Sequence, residues 1–176
     1  MANLDLTTLH TGDCILFKGK GFISRGIQWF TDSEYSHVAM YVGGGNNQVI
    51  EATEAGVEIN PILPLLKAAD RVCVRRIPNL KVDDAEKMKA KGYSLIYEHY
   101  DYLQFAGLAI YFLFRKIGIQ LSKLIPNSRV MMICSELFAV CAMIIPIIFK
   151  DNTALVTPGT LYSTELMNTV WEGKYQ

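Results

Sequence analysis

The chain has 176 residues, of which 51% are hydrophobic, and its 17 basic and 17 acidic side chains cancel. This length predicts a single domain over residues 1–176 with a sizeable core. The balanced charge excludes the basic surface of a nucleic-acid-binding protein and a polybasic patch for membranes.

The N-terminal residues lack a cationic start followed by an apolar run, so we see no secretory signal and expect a cytoplasmic protein. The three histidines are too dispersed for a metal site, and the four cysteines contain no C-x-x-C pair. We therefore expect reduced thiols, no metal and no cofactor. The cysteines are Cys14, Cys73, Cys134 and Cys141.

Short apolar runs bounded by Gly, Asn and Pro dominate the first half of the chain. They predict strands at residues 15–17, 36–42, 48–52, 56–59 and 72–77. Apolar residues at helical spacing predict helices at 22–30 and 82–91, with a loop and a helical turn at 61–66. The sequence thus predicts several short strands interspersed with helices.

The second and third predicted strands form a hairpin with a Gly/Asn loop. If that loop covers residues 43–47, Val42 faces Gln48, and counting outward puts Glu51 opposite Ala39, on the same sheet face as His37. Diagonal neighbours lie roughly 7 Å apart, within reach of a Glu side chain. A carboxylate on one imidazole nitrogen leaves the other nitrogen free to take a thiol proton. The alternative is a solvated pair, and a loop one residue longer or shorter would put Glu51 on the other face.

Two uncharged apolar segments follow, at residues 102–114 and 137–149. Both are shorter than the roughly 18 to 20 residues that span a bilayer, and Pro146 interrupts the second. The first is apolar nearly all round, which indicates either burial or contact with lipid or an acyl chain. Residues 157–161 then read as a turn, and the tail to Gln176 reads as a short helix with a polar end.

Cys134 lies between an extended apolar approach and a helix-forming run. In the first turn of a helix, a thiol lies near unpaired backbone N–H groups and the positive end of the helix dipole, which stabilise a thiolate. The alternative is a packed core residue, because free cysteines are also common small hydrophobic groups. A histidine base close in space would favour a nucleophile.

In order, these pieces resemble the circularly permuted branch of the NlpC/P60 superfamily, the YiiX/YaeF-like papain-like cysteine hydrolases. In that family the histidine strand precedes the cysteine helix, as it does here. The resemblance implies an α+β, circularly permuted papain-like NlpC/P60 fold, in which an antiparallel sheet packs against helices and the nucleophile lies at a helix N-terminus. The matching pieces are Gly12-Asp13-Cys14-Ile15-Leu16, Tyr35-Ser36-His37-Val38-Ala39-Met40-Tyr41-Val42-Gly43, Val49-Ile50-Glu51-Ala52, Tyr100-Asp101, Cys134-Ser135-Glu136-Leu137 and Thr157-Pro158.

The resemblance also implies roles for individual residues. Cys134 matches the nucleophile, His37 the base and Glu51 the residue that orients the imidazole. Tyr100 resembles a tyrosine that helps to position the substrate or the oxyanion. The chain departs from the family in an apolar helical insertion at about 102–125, which leaves room for an acyl chain or for peripheral contact with a membrane.

We therefore expect a cysteine hydrolase of the amidase or peptidase type, acting through an acyl-enzyme on a small-molecule, peptide or lipid-like acyl substrate. One alternative is a lipid-directed thioesterase or acyltransferase that uses the apolar insertion. The other is a non-catalytic module on the same fold, which binds a ligand or a membrane surface while the cysteine and histidine only pack.

Overall fold

The structure, a computed structural model, describes residues 3–53, 55–96, 134–143 and 156–176. Within these ranges six strands form one antiparallel sheet in the order β4-β3-β2-β1-β5-β6. This architecture confirms the α+β class. The strands are β1 (Cys14–Lys18), β2 (His37–Gly43), β3 (Gln48–Thr53), β4 (Gly56–Pro61), β5 (Arg71–Arg76) and β6 (Asn168–Gly173). The α-helices are α1 (Phe22–Thr31), α2 (Ile62–Ala68), α3 (Val82–Ser94), α4 (Cys134–Ala142) and α5 (Pro158–Ser163).

The central strands of the sheet are buried on both faces, which explains why their sequences read as nearly continuous apolar runs. On one face, Met40 and Ile50 pack with Met88 of α3 and Phe138 of α4. Gly92 lets α3 approach closely, since a Cβ there would lie 2.8 Å from Ile50 Cδ1. This packing holds α3 and α4 against the middle of the sheet.

The opposite face of the sheet is covered by α2 and by the N-terminal residues. Ala39 and Val49 of the sheet belong to one buried cluster with Ile62 and Leu66 of α2 and with Leu4. Helices on both faces exclude water from the central strands, so polar groups on these strands can lie in a buried setting wherever they find partners.

At the end of the β2–β3 hairpin that carries His37 and Glu51, the strands have the register that the sequence predicted. Ala39 pairs with Glu51, as expected. The predicted pairing of Val42 with Gln48 is wrong, because a bulge makes Gly43 the partner of Gln48. Gly43 has a φ of 77°, which a glycine adopts without a Cβ penalty. The bulge absorbs one residue at the loop and leaves the pairing of Glu51 unchanged.

Two predictions near the C-terminus are wrong. Residues 158–161 belong to α5 rather than to a turn, because Thr157 caps the helix and Pro158 suits its first position. The expected helix in the tail is β6, which pairs with β5 and forms one edge of the sheet. Its residues Thr169, Val170 and Trp171 are of types that favour strands, and the free edge of β5 supplies hydrogen bonds.

The apolar insertion predicted at 102–125 lies outside the described residues, and the single domain over 1–176 stays a prediction. None of the helices in the described ranges is long and apolar enough to cross a membrane.

Candidate active site

His37 and Glu51 meet across the β2–β3 hairpin. His37 is the first residue of β2, and Glu51 lies one diagonal step away on β3. The imidazole Nε2 of His37 lies 2.5 Å from Oε2 of Glu51. Glu51 is only 3% exposed, whereas the His37 side chain is 28% exposed and reaches the surface of the molecule. The sequence predicted this pair from the hairpin, and the two side chains are in contact.

The second carboxylate oxygen of Glu51 is also satisfied. Asn60 on β4 donates from Nδ2 to Glu51 Oε1 over 2.9 Å. Burial alone would raise the pKa of the Glu51 carboxyl, but the hydrogen bond and charge of His37 and the amide of Asn60 outweigh burial and lower it. Glu51 is therefore ionised at neutral pH.

Cys134 joins this pair from the opposite end of the chain. It is the first residue of α4, as the helix-start pattern predicted, and it is half-buried. The thiol of Cys134 lies close enough to the His37 imidazole to act on its pKa as a hydrogen-bond partner. Since Nε2 of His37 faces Glu51, the nitrogen left for the thiol is Nδ1. The structure thus brings together three of the four residues that the sequence singled out.

The surroundings of His37 favour its protonated form. Burial by itself would lower the pKa of His37, but hydrogen bonds to Cys134 and Glu51 and the charges of both groups raise it to about 10. Phe17, which pairs with His37 on β1, lies with its ring centroid 5.9 Å from the imidazole. This ring packs beside the imidazole.

The start of α4 is fixed by the residue after Cys134. Ser135 is fully buried, and its hydroxyl donates to the carbonyl oxygen of Val156 over 2.6 Å. Val156 directly precedes Thr157, the cap of α5. The first turn of α4 is therefore tied to the start of α5, which holds Cys134 in place relative to the sheet.

The other three thiols have buried surroundings without a histidine partner in the part of the chain that the structure describes. Burial raises the pKa of Cys14 well above its ordinary value, that of Cys73 to about 11 and that of Cys141 to about 12. Cys134 is the only one of the four cysteines that is partly exposed. The four thiols thus differ in both access and environment.

Tyr100, the predicted tyrosine of the site, lies outside the described residues. Asn60 was not among the predicted site residues, because the predicted fourth strand ended at residue 59 whereas β4 continues to Pro61. Across residues 3–53, 55–96, 134–143 and 156–176, no group of three or more His, Cys, Asp or Glu side chains could hold a metal ion.

Comparison with known proteins identifies a family. Residues 8–108 match the model of a family described as "Permuted papain-like amidase enzyme, YaeF/YiiX, C92 family". The matched range contains His37, Glu51 and Asn60 and ends before Cys134.

Two proteins of Escherichia coli are similar to this chain. One, from strain K12, is named "Probable lipoprotein peptidase YaeF" and is 37% identical over 93 residues, which are 49% of this chain and 33% of the relative. The chain therefore spans about a third of the length of this curated relative. The other is the crystal structure of the metalloprotein yiiX from strain O157:H7, with a TM-score of 0.60 and 19% identity. The match covers 95% of this chain and 98% of that chain, and at this identity it shows the fold alone.

Proposed function

Because the chain belongs to the family of permuted papain-like amidases, YaeF/YiiX, we propose that it is a cysteine hydrolase that cleaves an amide or a related acyl bond. Membership confirms the family resemblance in the sequence, while the wider NlpC/P60 placement stays a prediction. The observation that carries the proposal is the contact of His37 with both the thiol of Cys134 and the carboxylate of Glu51.

In the proposed reaction, Nδ1 of His37 takes the proton of the Cys134 thiol, and the sulfur attacks the carbonyl carbon of the substrate. The oxyanion that forms accepts a hydrogen bond from the backbone N–H of Cys134, at the positive end of α4. Tyr100 is the proposed second donor. The His37 imidazolium then protonates the leaving amine, which leaves an acyl thioester on Cys134.

Water completes the cycle. His37 takes a proton from water, the resulting hydroxide attacks the thioester, and the imidazolium returns its proton to the departing sulfur of Cys134. Glu51 stays ionised throughout, and it orients the imidazole through Nε2 and stabilises the imidazolium in both half-reactions.

Replacement of Cys134 tests this proposal. With a panel of short peptide anilides, we expect Cys134→Ala to lower kcat by roughly 10³-fold or more, because the covalent step is lost. The thermal unfolding curve should stay close to that of the wild type, since the thiol is only half-buried. Glu51→Gln should retain part of the rate, because a neutral amide can still contact Nε2.

Cys141→Ala is the matched control, because Cys141 lies on the same helix but is buried in the core. We expect it to keep the wild-type kcat and to lower stability. Full activity in Cys134→Ala would rule out the proposed nucleophile.

A lipid-directed thioesterase or acyltransferase is the second candidate function. Phe22 and Trp29 on α1 are 90% and 55% exposed. They are seven residues apart and so share one helix face, in the connection from β1 to the start of β2 at His37. An exposed apolar face at this end of the sheet favours a substrate with a long apolar chain, and the K12 relative is named a lipoprotein peptidase.

The two candidates differ in substrate preference. A lipid-directed enzyme should hydrolyse a long-chain acyl thioester faster than a peptide anilide, and Phe22→Ala should lower kcat/KM for the long-chain substrate alone. An amidase should prefer the anilide and should be insensitive to Phe22→Ala. Hydrolysis of neither substrate class would favour the non-catalytic binding module.

A further inference from the structure

Glu51 lies between two polar side chains on the neighbouring strands. In the β3–β4 register Glu51 pairs with Glu58, and Val49 pairs with Asn60. Asn60 is therefore a diagonal neighbour of Glu51 on the side of β3 away from His37, and all three side chains lie on one face of the sheet. This arrangement forms a row of three polar groups across β2, β3 and β4.

Glu58 faces Glu51 directly, which is an unfavourable arrangement for two carboxylates on paired strands. The structure separates them. Thr53 donates from Oγ1 to Oε2 of Glu58 over 2.7 Å. The Glu58 carboxylate is thereby held toward Thr53 rather than toward Glu51. The β4 side chain that reaches the carboxylate of Glu51 is consequently the neutral amide of Asn60.

We infer that Asn60 is a positioning residue of the candidate site, since its amide holds Oε1 of Glu51 and thereby fixes Oε2 toward His37. The inference rests on the proposed function of Cys134, His37 and Glu51. A buried carboxylate needs partners for both oxygens, because an unsatisfied charged oxygen is costly at 3% exposure. One oxygen is given to His37 and the other to Asn60, so the orientation of the carboxylate is determined from both sides.

Loss of this amide has a specific consequence for His37. Without the Asn60 donor the ionised form of Glu51 is less stable, and its support of the imidazolium weakens. His37 should then release its proton at lower pH than in the wild type. A residue that only stabilised the edge strand would lower stability without moving this titration.

The test is the titration of the His37 ring, followed by NMR in the wild type and in Asn60→Leu. Loss of a hydrogen bond to a charged group should lower the midpoint by roughly one pH unit. Asn60→Gln keeps an amide donor and should recover part of this loss.

Glu58→Gln is the matched control, because Glu58 is on the same strand and faces Glu51 without bonding to it. It should produce a much smaller shift of the His37 midpoint. Asn60→Ser supplies a second variant without the amide if Asn60→Leu does not fold.

The outcomes separate this inference from the proposed function. If His37→Ala slows Cys134 alkylation but Asn60→Leu and Asn60→Ser leave the His37 midpoint at the wild-type value, the role of Asn60 is overturned and the proposed site stands. If His37→Ala leaves Cys134 alkylation at the wild-type rate, the proposed site itself fails.

Discussion

Cys134 and Cys141 lie on the same helix, about two helical turns apart, yet their surroundings differ in every respect that controls thiol chemistry. Cys141 is buried in the main core cluster, and burial raises its pKa to about 12. Cys134 is the first residue of the helix, is partly exposed and lies close to the imidazole of His37. Access, the helix terminus and a basic partner all favour nucleophilic chemistry at Cys134.

This contrast predicts selective alkylation. In the folded protein at pH 7, iodoacetamide should modify Cys134 at least ten times faster than any other cysteine, since buried thiols are inert. Mass spectrometry of the proteolytic peptides measures the four rates together. His37→Ala should slow modification of Cys134, whereas in urea all four cysteines should react alike. Similar rates for the four thiols in the folded wild type would contradict the proposed site.

The sequence reveals the members of this site to different extents. The contact between His37 and Glu51 could be predicted because the hairpin that joins them is short and its side chains alternate between the two sheet faces. Cys134 could be picked out by its helix-start pattern and by the family resemblance. Its contact with His37 could be expected only from that resemblance, because the contact depends on how α4 packs on the sheet. Asn60 was missed because its role depends on the β3–β4 register.

At the scale of single elements, α5 is a helix whose starting point is determined by the residues of its own first turn. The Thr157 hydroxyl accepts from the backbone N–H of Thr160 over 3.1 Å, and the Thr160 hydroxyl accepts in turn from the Thr157 N–H. This reciprocal capping box satisfies two N–H groups that a helix start otherwise leaves unpaired. The cap follows Val156, which binds Ser135, so α5 also supports the start of α4.

Removal of the cap should destabilise the protein measurably. We expect Thr157→Ala to lower the free energy of unfolding by about 1 kcal/mol, because the N-cap acceptor is lost. Thr157→Ser keeps the hydroxyl and should lie near the wild type. Urea denaturation of the three proteins gives the comparison, and equal stability of the alanine and serine variants would show that the capping hydroxyl is dispensable.

The elements that the sequence predicted correctly are those with local patterns. The first five strands and α1 and α3 follow short apolar runs or helical spacing, and their bounds match within a few residues. The turn expected at 157–161 failed although Thr157-Pro158 is a recognisable cap and first-turn pair. The helix expected in the tail failed for a non-local reason, because β6 forms only against β5, almost a hundred residues earlier in the chain.

At the scale of the whole molecule, the site joins a histidine hairpin near the N-terminal end to a cysteine helix far along the chain. Leu137 and Phe138 of α4 share a buried cluster with Met40 of β2, and this packing carries Cys134 to His37. Chemistry at Cys134 therefore depends on long-range packing, and loss of tertiary structure should abolish its distinctive reactivity.

The ionised pair of His37 and Glu51 also couples stability to pH. The pKa of His37 is raised from 6.5 to about 10 on folding, so its contribution to stability is complete below pH 6.5 and is lost as the pH rises through about 10. The pKa of Glu51 is lowered from 4.5, so its contribution is present above pH 4.5 and is lost on acidification. Together these shifts place the greatest contribution of the pair between about pH 4.5 and 6.5.

We therefore expect the difference in the free energy of unfolding between the wild type and His37→Gln to be largest near pH 6 and to shrink as the pH approaches 10. Urea denaturation of both proteins at pH 6, 8 and 10 measures this difference directly, because groups that the two proteins share cancel. His10→Gln, which alters an exposed histidine outside the site, is the matched control for the substitution itself. A difference for His37→Gln that stays constant from pH 6 to 10 would mean that His37 does not hold its proton more tightly in the folded protein, and the imidazolium in the proposed mechanism would lose its support.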